Sequence, residues 1–256
     1  MGKLIILSGP SGVGKGPLTA ALAAYLRAVG RGLRKHVLYT SRSMRPGEAE
    51  GESYFFRSAA ELRRLHVESA GRLLFQIHGK GDWQMMDLDA LREELTAFDV
   101  VLLEIYYEQV PTVLDFCRNE GFPAKQIFVS PLDMKELQSA GEECAAAALK
   151  AVMQTKLANR GTETAEKQRG RAQKAPEELA AALAGGAEIF PNCFGEDNGR
   201  LWGLLQEFVA VPGALEIAKT FLAFVKTIQK DAPVAARQSR NPHRRRLSQI
   251  RWRRRS

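Results

Sequence analysis

The chain has 256 residues, 45% of them hydrophobic and 26% charged, which suits one α/β domain with a buried core, an insertion and a tail. No apolar run approaches the roughly eighteen residues of a spanning helix, and Met1-Gly2-Lys3 leads into a short β-like run rather than a secretory signal, so no membrane partner is expected. The formal charge of +8 is unevenly placed: nine of the 37 basic residues, all arginine, follow Ala232, where there is no acid, and the other 28 face 29 acids. Cys117, Cys144 and Cys193 are far apart and odd in number, which argues against a disulfide framework or metal site and for reduced thiols in a cytoplasmic protein.

In chain order, KLIILSG reads as a buried strand ending in a glycine turn, and PLTAALAAYLRAVG has helical spacing. KHVLYT predicts a strand, followed by a polar loop rich in Arg, Gly and Glu and then the aromatic strand SYFF. AAELRRLHVE predicts a helix, RLLFQIHG a strand, LDALREELTAF a helix and DVVLLEIYY a buried strand. VPTVLDFCRNEG predicts a helix after its proline, and KQIFVSP another buried strand. Residues 133–185 read as mostly helical with a break around Arg160-Gly161-Thr162, AEIFPN as a short last strand, and residues 201–230 as helical with a break at Pro212-Gly213. Alternating strands and helices predict a parallel sheet covered by helices, an α/β fold. The tail from about Asp231 has the composition of a disordered segment.

The first chemical motif is Gly9-Pro10-Ser11-Gly12-Val13-Gly14-Lys15, between a strand and a helix. Glycines at this spacing let backbone N–H groups surround phosphate oxygens, the helix N-terminus adds positive potential, and Lys15 neutralises the β- and γ-phosphates. ATP is therefore the expected ligand of residues Gly9 to Gly16. Gly16 stands where such loops usually carry a magnesium-binding hydroxyl, so Mg2+ is expected with ATP while its protein ligands stay unassigned. Lys-Gly at this point resembles adenylate kinases, which hold magnesium largely through water and nucleotide. The second motif is TSRSMRPGEAEGESYFF, where Arg42 and Arg45 offer a charge-assisted grip on a second phosphate, Tyr54 a hydroxyl and Glu48 a carboxylate to hold an arginine.

Taken together, the two motifs resemble guanylate kinases, whose loop is followed by TTR-x-PR-x-GE-x-x-G-x-x-Y-x-F. Thr40, Ser41, Arg42, Arg45, Gly47, Glu48, Gly51, Tyr54 and Phe56 fall on that pattern. RGTETAEKQRGRAQKAPEEL is similar to the family's lid, with Arg160, Thr162, Glu163, Glu166, Arg171 and Ala175 in register. The resemblance covers residues 3–207 and implies a P-loop NTPase-type sheet with an acceptor-binding insertion at about 38–95 and a lid at about 140–180. It divides the chain into a kinase-like domain at 1–210, a C-terminal helix at 211–230 and the basic tail at 231–256. It further implies ATP-dependent phosphorylation of a nucleoside monophosphate, GMP first. In that reading Lys15, Arg42, Arg160 and Arg171 are catalytic, Arg42, Arg45, Glu48, Tyr54 and Glu104 bind the acceptor, and Glu104 could orient Mg2+ through water.

The departures from the family gather on the base. A family Ser four residues before the first acceptor arginine is Leu38, a family Glu is Leu73, the tyrosine of G-N-Y-Y-G is Asp82, and the second acid of (D/E)-I-D is Tyr106. Asp82 thus replaces a phosphate-binding tyrosine of the family, the grip of Arg42, Arg45, Glu48 and Tyr54 persists, and the base-facing groups are largely apolar or aromatic, which predicts relaxed or redirected base choice. A second class stays open: guanylate kinase-like modules bind phosphorylated ligands or peptides without chemistry, and ATP binding separates the two. The arginine-rich tail with Trp252 also offers contacts to nucleic-acid phosphates and bases. His78 is read as structural, since phosphoryl transfer has no need for imidazole.

Overall fold

The computed structural model of the protein describes residues 2–16, 18, 19, 23, 33–77, 81–133, 142–160 and 164–191, without the side chains of Glu142 and Arg160. Most of the helix expected over 17–30, His78, the helices expected over 201–230 and the basic tail lie outside the described residues.

Five strands form a parallel sheet in the order β2-β7-β1-β8-β9: β1 (Lys3–Ser8), β2 (Arg34–His36), β7 (Val100–Glu104), β8 (Ala124–Ser130) and β9 (Glu188–Pro191). Every side chain of β1 after Lys3 is buried, the pattern of a strand covered on both faces. Its alternation sorts the core. Ile5 and Leu7 point into one cluster with Leu102, Ile127, Val129, Leu149, Met153 and Leu157, while Leu4 and Ile6 join Leu91, Leu95, Val101, Leu103, Val110 and Val113 in the other.

A second, mixed sheet of four strands has the order β4-β3-β6-β5, built from β3 (Tyr39–Thr40), β4 (Phe55–Phe56), β5 (Arg72–Gln76) and β6 (Trp83–Asp87). Two expectations change here. The strand read through KHVLYT is two short strands in different sheets, with His36 of the first hydrogen-bonded to Glu94 at 2.7 Å. Strand β6 is an addition, because Gln84, Met85 and Met86 are all buried and leave no polar alternation to read.

The helices are α1 (Ala59–Glu68), α2 (Leu88–Ala97), α3 (Val110–Glu120), α4 (Glu142–Arg160) and α5 (Ala165–Ala184). Local chemistry sets their ends. Ser58 and Glu61 form a reciprocal capping box on α1, Asp87 caps α2, and Gly121 ends α3 with φ 77°. Leu149, Met153 and Leu157 recur at helical spacing on α4, and Ala172 and Ala175 of α5 are small enough for the two helices to pack closely over the phosphate-loop side of the sheet. Among the described residues no helix is long and apolar enough to cross a membrane.

Candidate active site

Strand β1 delivers the chain into the loop at Gly9, and the backbone becomes helical at Lys15. Two glycines explain why this turn tolerates no other residue. Gly9 has φ 136°, and a Cβ there would stand 2.5 Å from the Val129 carbonyl; Gly12 has φ 91°, and a Cβ would stand 2.8 Å from Leu157 Cδ2. Sheet and helix thus clamp the loop from both sides. Val13 is fully buried and anchors it in the core. Lys15 donates from Nζ to the Gly9 and Pro10 carbonyls at 2.5 and 3.1 Å, so its ammonium lies over the loop rather than in solvent.

Arg171, on α5, donates to the Ser11 hydroxyl at 2.5 Å, which brings this arginine onto the glycine loop. Arg160 ends α4, and its side chain lies outside the described residues. Further along α5, Glu178 is buried near Lys15 and Arg171. Burial pushes its carboxyl up to about 7, against the opposing pull of Lys15.

The acceptor loop closes on itself through a fork. Arg42 donates Nη1 and Nη2 to the two carboxylate oxygens of Glu48 at 2.6 and 2.5 Å, and the Arg45 N–H donates to the same carboxylate at 2.9 Å. Burial opposes both charges, yet the pair overcomes it: the Arg42 guanidinium is held above its usual range and the Glu48 carboxyl below its own. The Arg42 guanidinium also lies 4.8 Å from the Tyr54 ring centroid and 5.6 Å from that of Phe56. Tyr54 has its phenol raised by burial and then by the charge of Glu104, while Arg42 and a hydrogen bond to Gln84 act the other way.

Glu104 joins the two halves. It ends β7, in register with Leu7 of β1, and accepts a hydrogen bond of 2.9 Å from the Thr19 hydroxyl on the helix that follows the phosphate loop. Lys35 Nζ lies 3.8 Å from the same carboxylate. The acid is therefore shared between the nucleotide-loop helix and the surroundings of Tyr54. Sequence reasoning singled out Glu104 but missed Thr19, Lys35, Gln84 and Glu178. For Thr19 the signal was present, because a hydroxyl three residues after Gly16 falls on the same helical face.

Of the positions that depart from the family pattern, Leu38, Leu73 and Tyr106 lie in apolar or aromatic surroundings. Leu38 is 3% exposed and Leu73 packs on the same core cluster as Tyr54 and Phe75. Tyr106 stacks edge-on against Tyr107 at 4.7 Å, and Asp82 is exposed.

A family model described as Guanylate kinase matches residues 1–71. The chain is 30% identical over 206 residues to a guanylate kinase of Bifidobacterium longum, covering 80% of this chain and 93% of that protein. It is 34% identical over 182 residues to a guanylate kinase of Trichodesmium erythraeum, covering 71% and 83%. Among solved structures it is similar to a guanylate kinase from Anaplasma phagocytophilum, with 20% identity, a TM-score of 0.48, and coverage of 86% of this chain and 94% of that one.

Proposed function

The chain belongs to the guanylate kinase family of phosphotransferases, and we propose that within it this protein is an ATP-dependent nucleoside monophosphate kinase with GMP as first acceptor and loose base discrimination. The observation that carries the reading is Glu104, hydrogen-bonded to the nucleotide-loop helix through Thr19 and electrostatically coupled to Tyr54 beside Arg42. A carboxylate bonded to the helix after the glycine loop, and close enough to raise the Tyr54 phenol by its charge, suits a site that handles two phosphates. An isolated phosphate site would need no such junction.

Phosphoryl transfer asks chiefly for alignment and for positive charge where negative charge builds. Lys15 and the N–H groups of residues 11–16 hold the triphosphate, exchanging the carbonyls that Lys15 now contacts for phosphate oxygens. Arg171, already at Ser11, and Arg160 lie over the migrating group. Arg42 and Arg45 grip the acceptor phosphate, with Glu48 fixing Arg42 and Tyr54 adding its hydroxyl. The mixed sheet and its loop, about 38–95, serve as the acceptor unit, and the α4–α5 pair, about 140–180, as the lid. Bound Mg2+ supplies charge neutralisation between the phosphates. The donor chemistry fits a hydrated ion: Glu104, whose carboxylate is bonded to Thr19 on the helix after the glycine loop, offers a hard oxygen group that would hold the ion through its waters.

The test is a turnover screen of the purified protein with ATP and Mg2+ against GMP, AMP, CMP, UMP and their deoxy forms. ADP formation with GMP, and within about tenfold of it with other bases, is expected. No turnover with any monophosphate would overturn the reading, and binding of a phosphorylated ligand without ATP binding would point to a non-catalytic module.

A further inference from the structure

Gly16 has no side-chain oxygen to offer a metal, and a Cβ at this exposed position would meet no described atom within 4 Å. Thr19 lies one turn further along the same helix face. It is 6% exposed, and its hydroxyl donates to Glu104 at 2.9 Å. A buried hydroxyl satisfied by a carboxylate fixes that carboxylate in one orientation, and Lys35 Nζ lies 3.8 Å from the same carboxylate. The fit to a hydrated magnesium, argued above from the donor set, gives this orientation a purpose.

We propose that Thr19 is a positioning residue for the metal that accompanies ATP: it aims the Glu104 carboxylate at the ion's water shell and so compensates, one helical turn on, for the hydroxyl absent at Gly16. The inference rests on the kinase reading above. Thr19 touches neither metal nor phosphate. It holds Glu104 as the outer partner of a metal site holds its ligand, an arrangement whose loss costs metal affinity rather than nucleotide affinity. Lys35 is the counterweight, balancing the carboxylate when no metal is bound.

The experiment uses the full chain, Mn2+ as the probe metal and a β,γ-imido ATP analogue, with metal binding followed by the loss of the free Mn2+ electron-spin signal. Thr19→Val is expected to weaken Mn2+ binding in the presence of the analogue by roughly tenfold. Affinity for the metal-free analogue in chelator should stay within about twofold, and Thr19→Ser should restore the metal affinity. Thr19→Cys, with a weaker donor of similar size, serves where valine prevents folding and carries the same expectation. Unchanged Mn2+ affinity in the variant overturns the proposal. So does an equal loss with and without metal, which marks a structural hydroxyl. Failure of the unaltered protein to bind the analogue at all overturns the kinase reading as well, which separates the two failures.

Discussion

The phosphate-handling side of the molecule and the side that departs from the base-reading pattern follow opposite rules. On the first, charged groups meet hydrogen-bonding or oppositely charged partners: Lys15 the loop carbonyls, Arg171 Ser11, Arg42 Glu48, and Glu104 Thr19. Arg45 joins the same network through its backbone N–H. On the second, Leu38 and Leu73 belong to the hydrophobic core. The contrast teaches that anion recognition and base recognition are separable in this fold. In the proposed reading, phosphate oxygens would be met by donors fixed on the loop and on α5, whereas discrimination between bases needs buried polar groups that a wrong base would leave unpaired.

The comparison can be broken on the phosphate side. Lys15→Ala should lower kcat/KM by roughly a thousandfold, since it removes the ammonium held over the glycine loop, and steady-state kinetics reads the loss. A retained rate would empty the phosphate side of its central charge. Arg42→Lys keeps the charge but not the fork to Glu48, so acceptor KM should rise by about a hundredfold with a smaller change for ATP. Equal effects on both substrates would place Arg42 outside the acceptor grip.

Glu178 gives an effect on stability instead of rate. Its ordinary value of 4.5 is raised by burial to about 7, so the folded protein holds this proton more tightly than the unfolded chain does. The resulting stability is fully present below about 4.5, falls as pH rises, and is lost above about 7. Glu178→Gln should remove that slope and make the protein more stable at pH 8 by roughly 2–3 kcal/mol, measured by denaturant unfolding at pH 5.5 and pH 8. The same difference at both pH values would show that the carboxyl is ionised throughout. The smallest effect sharpens the other side: replacing GMP by AMP should change kcat/KM by less than about tenfold, whereas a gap of several orders of magnitude would reveal buried base readers elsewhere.

Much of this was legible in the chain because local rules and the fold agree. Ser58 and Glu61 announce the start of α1, and the unbroken apolar run of β1 announces a strand covered on both faces. Strand β6 was hidden for the converse reason: buried Gln84 breaks the apolar run, and Met85 and Met86 favour no strand. The split between β2 and β3 was hidden because the change of sheet at Val37-Leu38 carries neither glycine nor proline. In the site, residues of the two loops could be read from spacing. Thr19 and Glu178 could not be assigned roles that way, since Glu104 lies 85 residues from Thr19 and Lys15 more than 150 residues from Glu178 in the chain.

The most direct measurement is the affinity of a bridged ligand, adenosine and guanosine joined 5′ to 5′ through five phosphates, compared with ATP and GMP measured singly by calorimetry. If residues 9–16 and the Arg42–Arg45 loop face one another across Glu104, the bridged compound binds at least about a hundredfold tighter than either nucleotide, because the second contact is made within one molecule. Binding no tighter than ATP alone would mean that the two anion sites cannot be filled together, and the account of transfer between them would be wrong.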